Sequence, residues 1–213
     1  MILAADWVTI SSLATAGATL VLAFATFAAV RSANRAARAA ELSLMAGIRP
    51  LLVPSRLDDA PQKAGFFDGR WFTLPGAGAV AEATDEAIYL LISVRNAGTG
   101  MAVLHSWCLH GPVDGGPVEH SPLDRFRRLS RDLYVAGGEI GFWQGAYRDP
   151  SAPEFAEARA LIEAGERLMI EVLYGDQEGG QRAISLFSLT RRDDGAWIAT
   201  VARHWNLDRP DPR

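Results

Sequence analysis

The feature that most constrains this sequence is an uncharged apolar segment close to its N-terminus. Residues 7 to 30, WVTISSLATAGATLVLAFATFAAV, contain no acidic or basic side chain. At 1.5 Å per residue, a helix of this length crosses a hydrocarbon layer about 30 Å thick. Because the segment is apolar around its whole circumference, it is not typical of a core helix in a soluble domain. We therefore predict a single transmembrane anchor within residues 1–30.

A cleaved signal peptide is the alternative interpretation of this segment, beside the buried core helix. Signal peptides have a basic head and a short apolar part, whereas the head here, MILAAD, contains Asp6 and the apolar part is long. The segment is therefore expected to stay attached as an anchor.

The direction of the anchor follows from the basic residues beside it. Arg31, Arg35 and Arg38 follow the apolar segment closely, while no Lys or Arg precedes it. Cytoplasmic flanks are rich in Lys and Arg, so we expect an inner-membrane protein with its N-terminus outside and its C-terminal domain in the cytoplasm. The single cysteine, Cys108, agrees with a reducing compartment, since it excludes an intrachain disulfide.

Residues 31–48 are rich in strong helix formers and end at Gly47, before Pro50. They predict a juxtamembrane helical stalk that continues the anchor. Arg31, Arg35 and Arg38 lie on one face of it, where they can meet anionic lipid headgroups, and Trp7 suits the outer membrane interface. Small residues inside the anchor, Gly17 among them, permit close helix approach and so a homo-oligomer.

Residues 49–213 have the size of one domain and carry 18 Lys and Arg against 23 Asp and Glu, a formal charge of −5. This acidic balance argues against a nucleic-acid partner. The segments RPLLVPSRL, AIYLLISVR, MAVLHSWCLHG, GEIGFW, RLMIEVLY, QRAISLFSL and AWIATVARHW read as strands. Asp68 and Gly69 between aromatic runs predict a hairpin turn, with positive φ at both positions.

Residues 75–86 are expected to form a loop, and residues 124–133 one or two helical turns or an irregular crossing. SAPEFAEARALIEAG predicts one helix, with a Ser151–Glu154 capping box, Pro153 in its first turn and Gly165 at its end. Many short strands with one inserted helix favour a mainly β domain, namely an immunoglobulin-like β-sandwich preceded by the transmembrane helix and its stalk.

Several short motifs add a resemblance to this prediction. The chain has an N-terminal anchor, an alanine-rich stalk, an RP-L opening, a strand that ends in N-x-G-x-G-x-A from Asn96 to Ala102, and V-L-Y-x-D from Val172 to Asp176. In these it resembles small uncharacterised bacterial membrane-anchored proteins. The resemblance implies this architecture, and it implies no activity.

His105, Cys108, His110 and His120 are the best candidates for a metal site, because imidazole and thiolate bind zinc well. In an extended strand, however, His105 points away from Cys108 and His110. Cys108 is then expected to be a small buried residue that alternates with Ala102 and Leu104. No P-loop or G-x-S-x-G motif occurs either. The prediction is therefore no metal, no cofactor and no catalytic residue.

The densest basic cluster consists of Arg125, Arg127, Arg128 and Arg131. It suits an anionic partner or an ordinary solvated face. One expected contact surface is an unpaired edge strand that an extended peptide can join, and the other is a partly exposed aromatic groove near Trp107 and Trp143. These six residues are the predicted binding residues.

Taken together, these features favour a membrane-tethered interaction or scaffold module for a protein partner, and not an enzyme. Two alternatives stay open. One is a membrane-bound hydrolase or metal-dependent enzyme that uses the region from His105 to His120, and the other is an oligomerising membrane effector that acts through its anchor helix.

Overall fold

The computed structural model of the protein describes residues 2–111 and 118–209, with side chains from residue 6 onward. The chain forms two compact units, Met1–Ala46 and Gly47–Arg213.

The first helix, α1, extends without interruption over Ile2–Gly47. It contains no proline, so its backbone hydrogen bonds continue from the apolar segment through the predicted stalk. Nearly all of its described side chains are exposed, and it is long and apolar enough to cross a membrane. α1 thus includes both the apolar segment and residues 31–47, which were predicted to continue it as a helix.

The described part of the second unit contains eleven strands, a second helix and a 3₁₀ turn. In chain order they are β1 (Leu52–Pro54), β2 (Gln62–Gly65), β3 (Trp71–Leu74), β4 (Gly78–Ala83), β5 (Ile88–Asn96), β6 (Ala102–Leu109), the 3₁₀ turn Leu123–Arg125, β7 (Arg127–Val135), β8 (Ile140–Tyr147), α2 (Pro153–Ala164), β9 (Leu168–Gly175), β10 (Arg182–Arg191) and β11 (Trp197–Asn206).

Nine of these strands form one antiparallel sheet in the order β1-β5-β4-β11-β10-β9-β6-β7, with β8 on the other side of β5. The remaining two, β2 and β3, form a separate hairpin. The predicted meander at the end of the chain is confirmed, since β10 pairs with both β9 and β11.

The sheet curls, and it consists of two halves. One half is β1, β4, β5 and β8, and the other runs from β11 to β7. Main-chain contact between the described parts of the halves is short: Trp197 pairs with Ala79 and Ile198 with Gly78, and the Ala199 N–H donates to Ala77 O. At the other end of the sheet, β7 and β8 lie side by side.

β5 is buried on both faces. Ile88, Leu90, Ile92 and Val94 pack into the main core enclosed by the curled sheet. Tyr89 and Leu91 point to the opposite face, where the β2–β3 hairpin covers them with a smaller core. The alternation in the sequence of β5 correctly predicts which side chains share a face. It does not predict that both faces are covered by other parts of the domain.

Two segments differ from their predictions because strand pairing prevails over weak local propensity. Residues 75–86 were expected to be a loop, yet Ala79–Ala83 pair with Ile88–Ile92 of β5. Residues 124–133 form only a 3₁₀ turn before entering β7, which pairs with β6.

α2 forms where predicted, with Pro153 at its start and Gly165 in the left-handed conformation at its end. The capping box is wrong, because Ala152 is the N-cap and the Ser151 hydroxyl donates to Asp149 instead. The hairpin turn is confirmed with one correction: Gly69 has φ +81°, and Asp68 keeps a negative φ.

The mainly β, antiparallel domain with one inserted helix is confirmed. The immunoglobulin-like topology is not confirmed, because the nine strands are joined in one curled sheet.

Candidate functional site

The boundary between β7 and β8 lacks the main-chain ladder found elsewhere in the sheet. β7 ends the order of paired strands, and β8 pairs only with β5 among the described residues. A turn at Ala136–Glu139 connects the two strands. β7 is also irregular towards β6: Leu133 pairs with Leu104 and Arg128 with Ser106, so residues 129–132 have no Cα partner there. We call this boundary the β7–β8 seam.

Side chains cross the seam in place of main-chain hydrogen bonds. Arg131 donates from Nη2 to Oε1 of Gln144 at 3.1 Å, and its guanidinium carbon lies 5.5 Å from the ring centre of Phe142. The Arg127 guanidinium carbon lies 4.6 Å from the ring centre of Tyr147. Planar arginine groups stack well on aromatic faces, so these two residues hold β7 against β8 without a ladder.

Buried aromatic rings lie beneath the seam. Trp107 packs edge-on against Trp143 with ring centres 5.2 Å apart, and against Tyr147 at 5.0 Å. Gly145 permits this packing, because a Cβ at that position would lie 2.7 Å from Trp107 and 2.8 Å from Trp143. Trp107 is 2% exposed and Trp143 is fully buried. The two tryptophans are therefore buried core residues, and of the two only Trp107 lines a cleft.

This cleft, of about 320 Å³, opens at the seam and is lined by the aromatic residues Phe66 and Trp107. Its basic lining residues are Arg127, Arg128 and Arg148, and Asp149 is the acidic one. Arg128 is exposed and forms no ion pair or side-chain hydrogen bond within the described residues. Of the four predicted basic residues, Arg127 and Arg128 line this cleft, and Arg131 lines a smaller cleft next to it. Arg125 lies in the preceding 3₁₀ turn and does not line the cleft.

The β2–β3 hairpin borders the seam with exposed aromatic residues that the sequence analysis did not single out. Phe67 is 75% exposed and Trp71 70% exposed. The Trp71 ring lies across Gly65, where a Cβ would be 2.9 Å from it. A smaller cleft of about 150 Å³, lined by both aromatic residues and Arg131, shares lining residues Phe66 and Gln144 with the larger one. The two clefts form one surface.

An ionic cluster fixes this hairpin to the sheet. Asp68 in the turn accepts a hydrogen bond from the Tyr89 hydroxyl at 2.6 Å and one from Arg148 at 2.7 Å. These bonds, that of Tyr89 first, lower the pKa of Asp68 to about 2. The cluster holds Arg148 at the edge of the larger cleft.

The cysteine and histidine candidates do not assemble. A β-bulge between Leu104 and Ser106 shifts the alternation of β6, so that Leu104 and Trp107 both face the main core. Cys108 therefore lies on the opposite face from Leu104, where it donates to the buried carboxylate of Glu171 at 3.0 Å. Burial is the main cause that raises the pKa of the Cys108 thiol, which opposes thiolate formation.

His110 and His120 direct ring nitrogens at main-chain oxygens, those of Gly111 and Glu119 for His110 and that of Ser121 for His120. Within residues 2–111 and 118–209, no group of three or more His, Cys, Asp or Glu is arranged to hold a metal ion.

A serine–histidine contact that no sequence motif signals lies inside the sheet. The Ser185 hydroxyl is 2.7 Å from Nδ1 of His204, and Ser185 also bonds Leu52 O and the Tyr174 hydroxyl. Ser185 is fully buried. A buried serine that donates to a main-chain oxygen is inaccessible to a substrate. The bonds of Ser185 to Leu52 and Tyr174 therefore hold β1 against β9 and β10, and its contact with His204 links β10 to β11.

The residues predicted to meet the membrane interface all lie on α1. Trp7 is 71% exposed, and Arg31, Arg35 and Arg38 are exposed as well.

Comparisons with known proteins give little further information. No protein-family model matches the chain, and no curated protein sequence is similar to it. Among solved structures, a selenomethionine-labelled β-glucosidase from Kluyveromyces marxianus is similar over 61% of this chain and 14% of its own, with 12% identity and a TM-score of 0.23. At this TM-score the likeness carries no argument.

The Asp68 cluster predicts a specific pH dependence. The folded pKa of about 2 lies below the ordinary 3.8, so the carboxylate stabilises the fold above pH 3.8, and this stabilisation is lost as the pH falls through about 2. Asp68→Asn should lower the free energy of unfolding at pH 7 by about 0.5–1 kcal/mol, since the cluster is partly exposed. It should also flatten the pH dependence in that range.

Urea unfolding followed by tryptophan fluorescence at pH 7 and pH 3 measures both effects. Asp193→Asn is the control, because Asp193 is exposed and has no ion pair within the described residues. Equal losses of unfolding free energy in Asp68→Asn and Asp193→Asn would contradict a stabilising role for the Asp68 cluster.

Proposed function

We propose that this protein is a membrane-tethered interaction module that binds a protein partner at the β7–β8 seam. The observation that carries the proposal is a sheet boundary without a ladder, lined by arginines and bordered by the exposed rings of Phe67 and Trp71. Arginine and aromatic side chains supply most of the energy at protein interfaces. We also propose that the two halves of the curled sheet are the facing sheets of an immunoglobulin-like sandwich, with the seam as its open edge.

The anchor gives this module its context. α1 supports attachment to a membrane by its length and composition. A module confined to a membrane surface meets a co-confined partner at a raised effective concentration, so linked sites gain about 100- to 10,000-fold in avidity. A weak contact at the seam is then sufficient.

We propose the inner membrane as the site of attachment, with the domain in the cytoplasm. Arg31, Arg35 and Arg38 support this orientation, since they follow the apolar segment and nothing basic precedes it. Green fluorescent protein fused after Arg213 should be fluorescent, and a periplasmic phosphatase fused there should be inactive. The opposite pair of results would overturn the orientation.

Cross-linking in native membranes tests the interaction itself. Phe67 in the full-length chain is replaced by photoreactive benzoylphenylalanine, and the yield of cross-linked partner is measured. We expect one dominant adduct whose yield falls about tenfold when Arg128→Glu is added, as expected for loss of a charge-assisted contact. Removal of residues 2–30 should reduce the yield similarly.

Arg167→Glu is the matched control, because Arg167 is also exposed and lies outside both clefts, and its substitution changes the net charge by the same amount. Its adduct yield should be unchanged. Equal loss in both charge reversals, or an undiminished yield without the anchor, would refute the proposed function.

A further inference from the structure

The seam offers main-chain groups to a ligand, not only side chains. Residues 129–132 of β7 have neither a Cα partner in β6 nor a ladder to β8 within the described chain. An unpaired edge of this kind accepts an extended peptide as an added strand. Leu133 and Arg128 pair with residues only two positions apart on β6, so residues 129–132 bulge out of that ladder and leave their main-chain groups unpaired.

The charge of the seam selects among extended segments. Arg127 and Arg128 line the larger cleft and Arg131 lines the smaller one, and none of the three forms an ion pair within the described residues. Arg148 of the larger cleft is already paired with Asp68, and Asp149 is the acidic residue that lines this cleft. The rest of the domain is acidic, since residues 49–213 carry a formal charge of −5. A positive cleft in an acidic domain attracts acidic partners and orients them as they approach.

Arg131 is poised for an acceptor stronger than its present one. It bonds the neutral amide of Gln144, and its buried Nε has no hydrogen-bond partner within the described residues. A carboxylate accepts two parallel hydrogen bonds from a guanidinium, which a single amide oxygen does not match. An incoming acidic side chain can therefore replace Gln144.

The exposed hairpin rings add an apolar subsite. Phe67 and Trp71 lie beside Arg131 along the smaller cleft. Successive side chains of an added strand point to opposite faces, so every second residue contacts this surface. Acidic residues at these positions meet the arginines, and one apolar residue among them meets Trp71.

We propose that the β7–β8 seam binds an extended acidic segment of a partner protein, which adds to β7 as a strand, pairs its carboxylates with Arg127, Arg128 and Arg131, and places an apolar side chain on Trp71. This inference rests on the proposed function and adds the chemistry of the ligand. A peptide fits the seam better than single-stranded nucleic acid does, because only a peptide offers the N–H and C=O groups that complete a β-ladder.

Fluorescence anisotropy with the full-length protein in zwitterionic nanodiscs tests the proposal. The probe is a fluorescein-labelled nine-residue peptide of alternating Glu and Val with a central Phe, compared with the same peptide carrying Lys for Glu. We expect the acidic peptide alone to bind. Arg128→Glu should weaken its binding about tenfold or more, and Trp71→Ala should weaken it as well, whereas Arg167→Glu should leave it within about twofold.

Two peptides N-methylated at alternate residues, in opposite phase, test strand addition. The peptide methylated at the amides that face β7 cannot donate hydrogen bonds to that strand and should not bind. The peptide methylated at the intervening amides should still bind. No binding of the acidic peptide at about 1 mM, equal binding of the Lys peptide, or insensitivity to both methylation phases would overturn the proposal. Quenching of Trp71 by brominated phosphatidylglycerol nanodiscs in place of peptide binding would assign the surface to lipid and overturn it too.

These outcomes are separable from those of the cross-linking experiment. If the acidic peptide fails while the Phe67 adduct still depends on Arg128 and on the anchor, the proposed function stands and this inference falls.

Discussion

The arrangement of the domain depends on the hydrogen bonding and burial of β5. One side of β5 pairs with β4 and β1, the other side pairs with β8, and both of its faces are buried. With β5 saturated, the outer edge of β8 can meet only β7. β7 cannot complete a ladder there, because its own pairing with β6 shifts register beside the bulge at His105. The seam is thus a consequence of how the sheet curls.

Arginine side chains cover this edge in the absence of a partner. Unprotected edges invite association with any extended chain, and charged residues on an edge strand limit that association. Arg127 and Arg131 lie over Tyr147 and Phe142, which keeps their charges available while their planar groups shield the aromatic rings. The same residues that protect the edge from non-specific pairing can therefore confer specificity for an acidic strand.

Strong local patterns predicted much of the fold from the sequence. The apolar run predicted α1, and Pro153 and Gly165 predicted the two ends of α2. Regular alternation predicted β5 and the final meander. The errors occur where pairing with a distant strand determines the secondary structure, as in the alanine-rich β4 and the arginine-rich β7. For the site, the sequence identified three of its arginines. It did not predict that Trp107 and Trp143 are buried, because their burial depends on the bulge in β6 and on their close packing against Gly145. Exposure of Phe67 and Trp71 depends on where the hairpin lies, which no local pattern encodes.

Amide hydrogen exchange of the full-length protein, resolved by residue, tests the open seam most directly. The amides of residues 129–132 should exchange at least about 100-fold faster than those of Ile184 and Ser185, which pair regularly with both β9 and β11. The reason is that only the latter amides open with the global unfolding of the domain. Binding of the acidic peptide should then slow exchange at alternate amides in residues 129–132. Protection of residues 129–132 equal to that of β10 in the free protein would mean that a complete ladder closes the sheet, and would contradict the account.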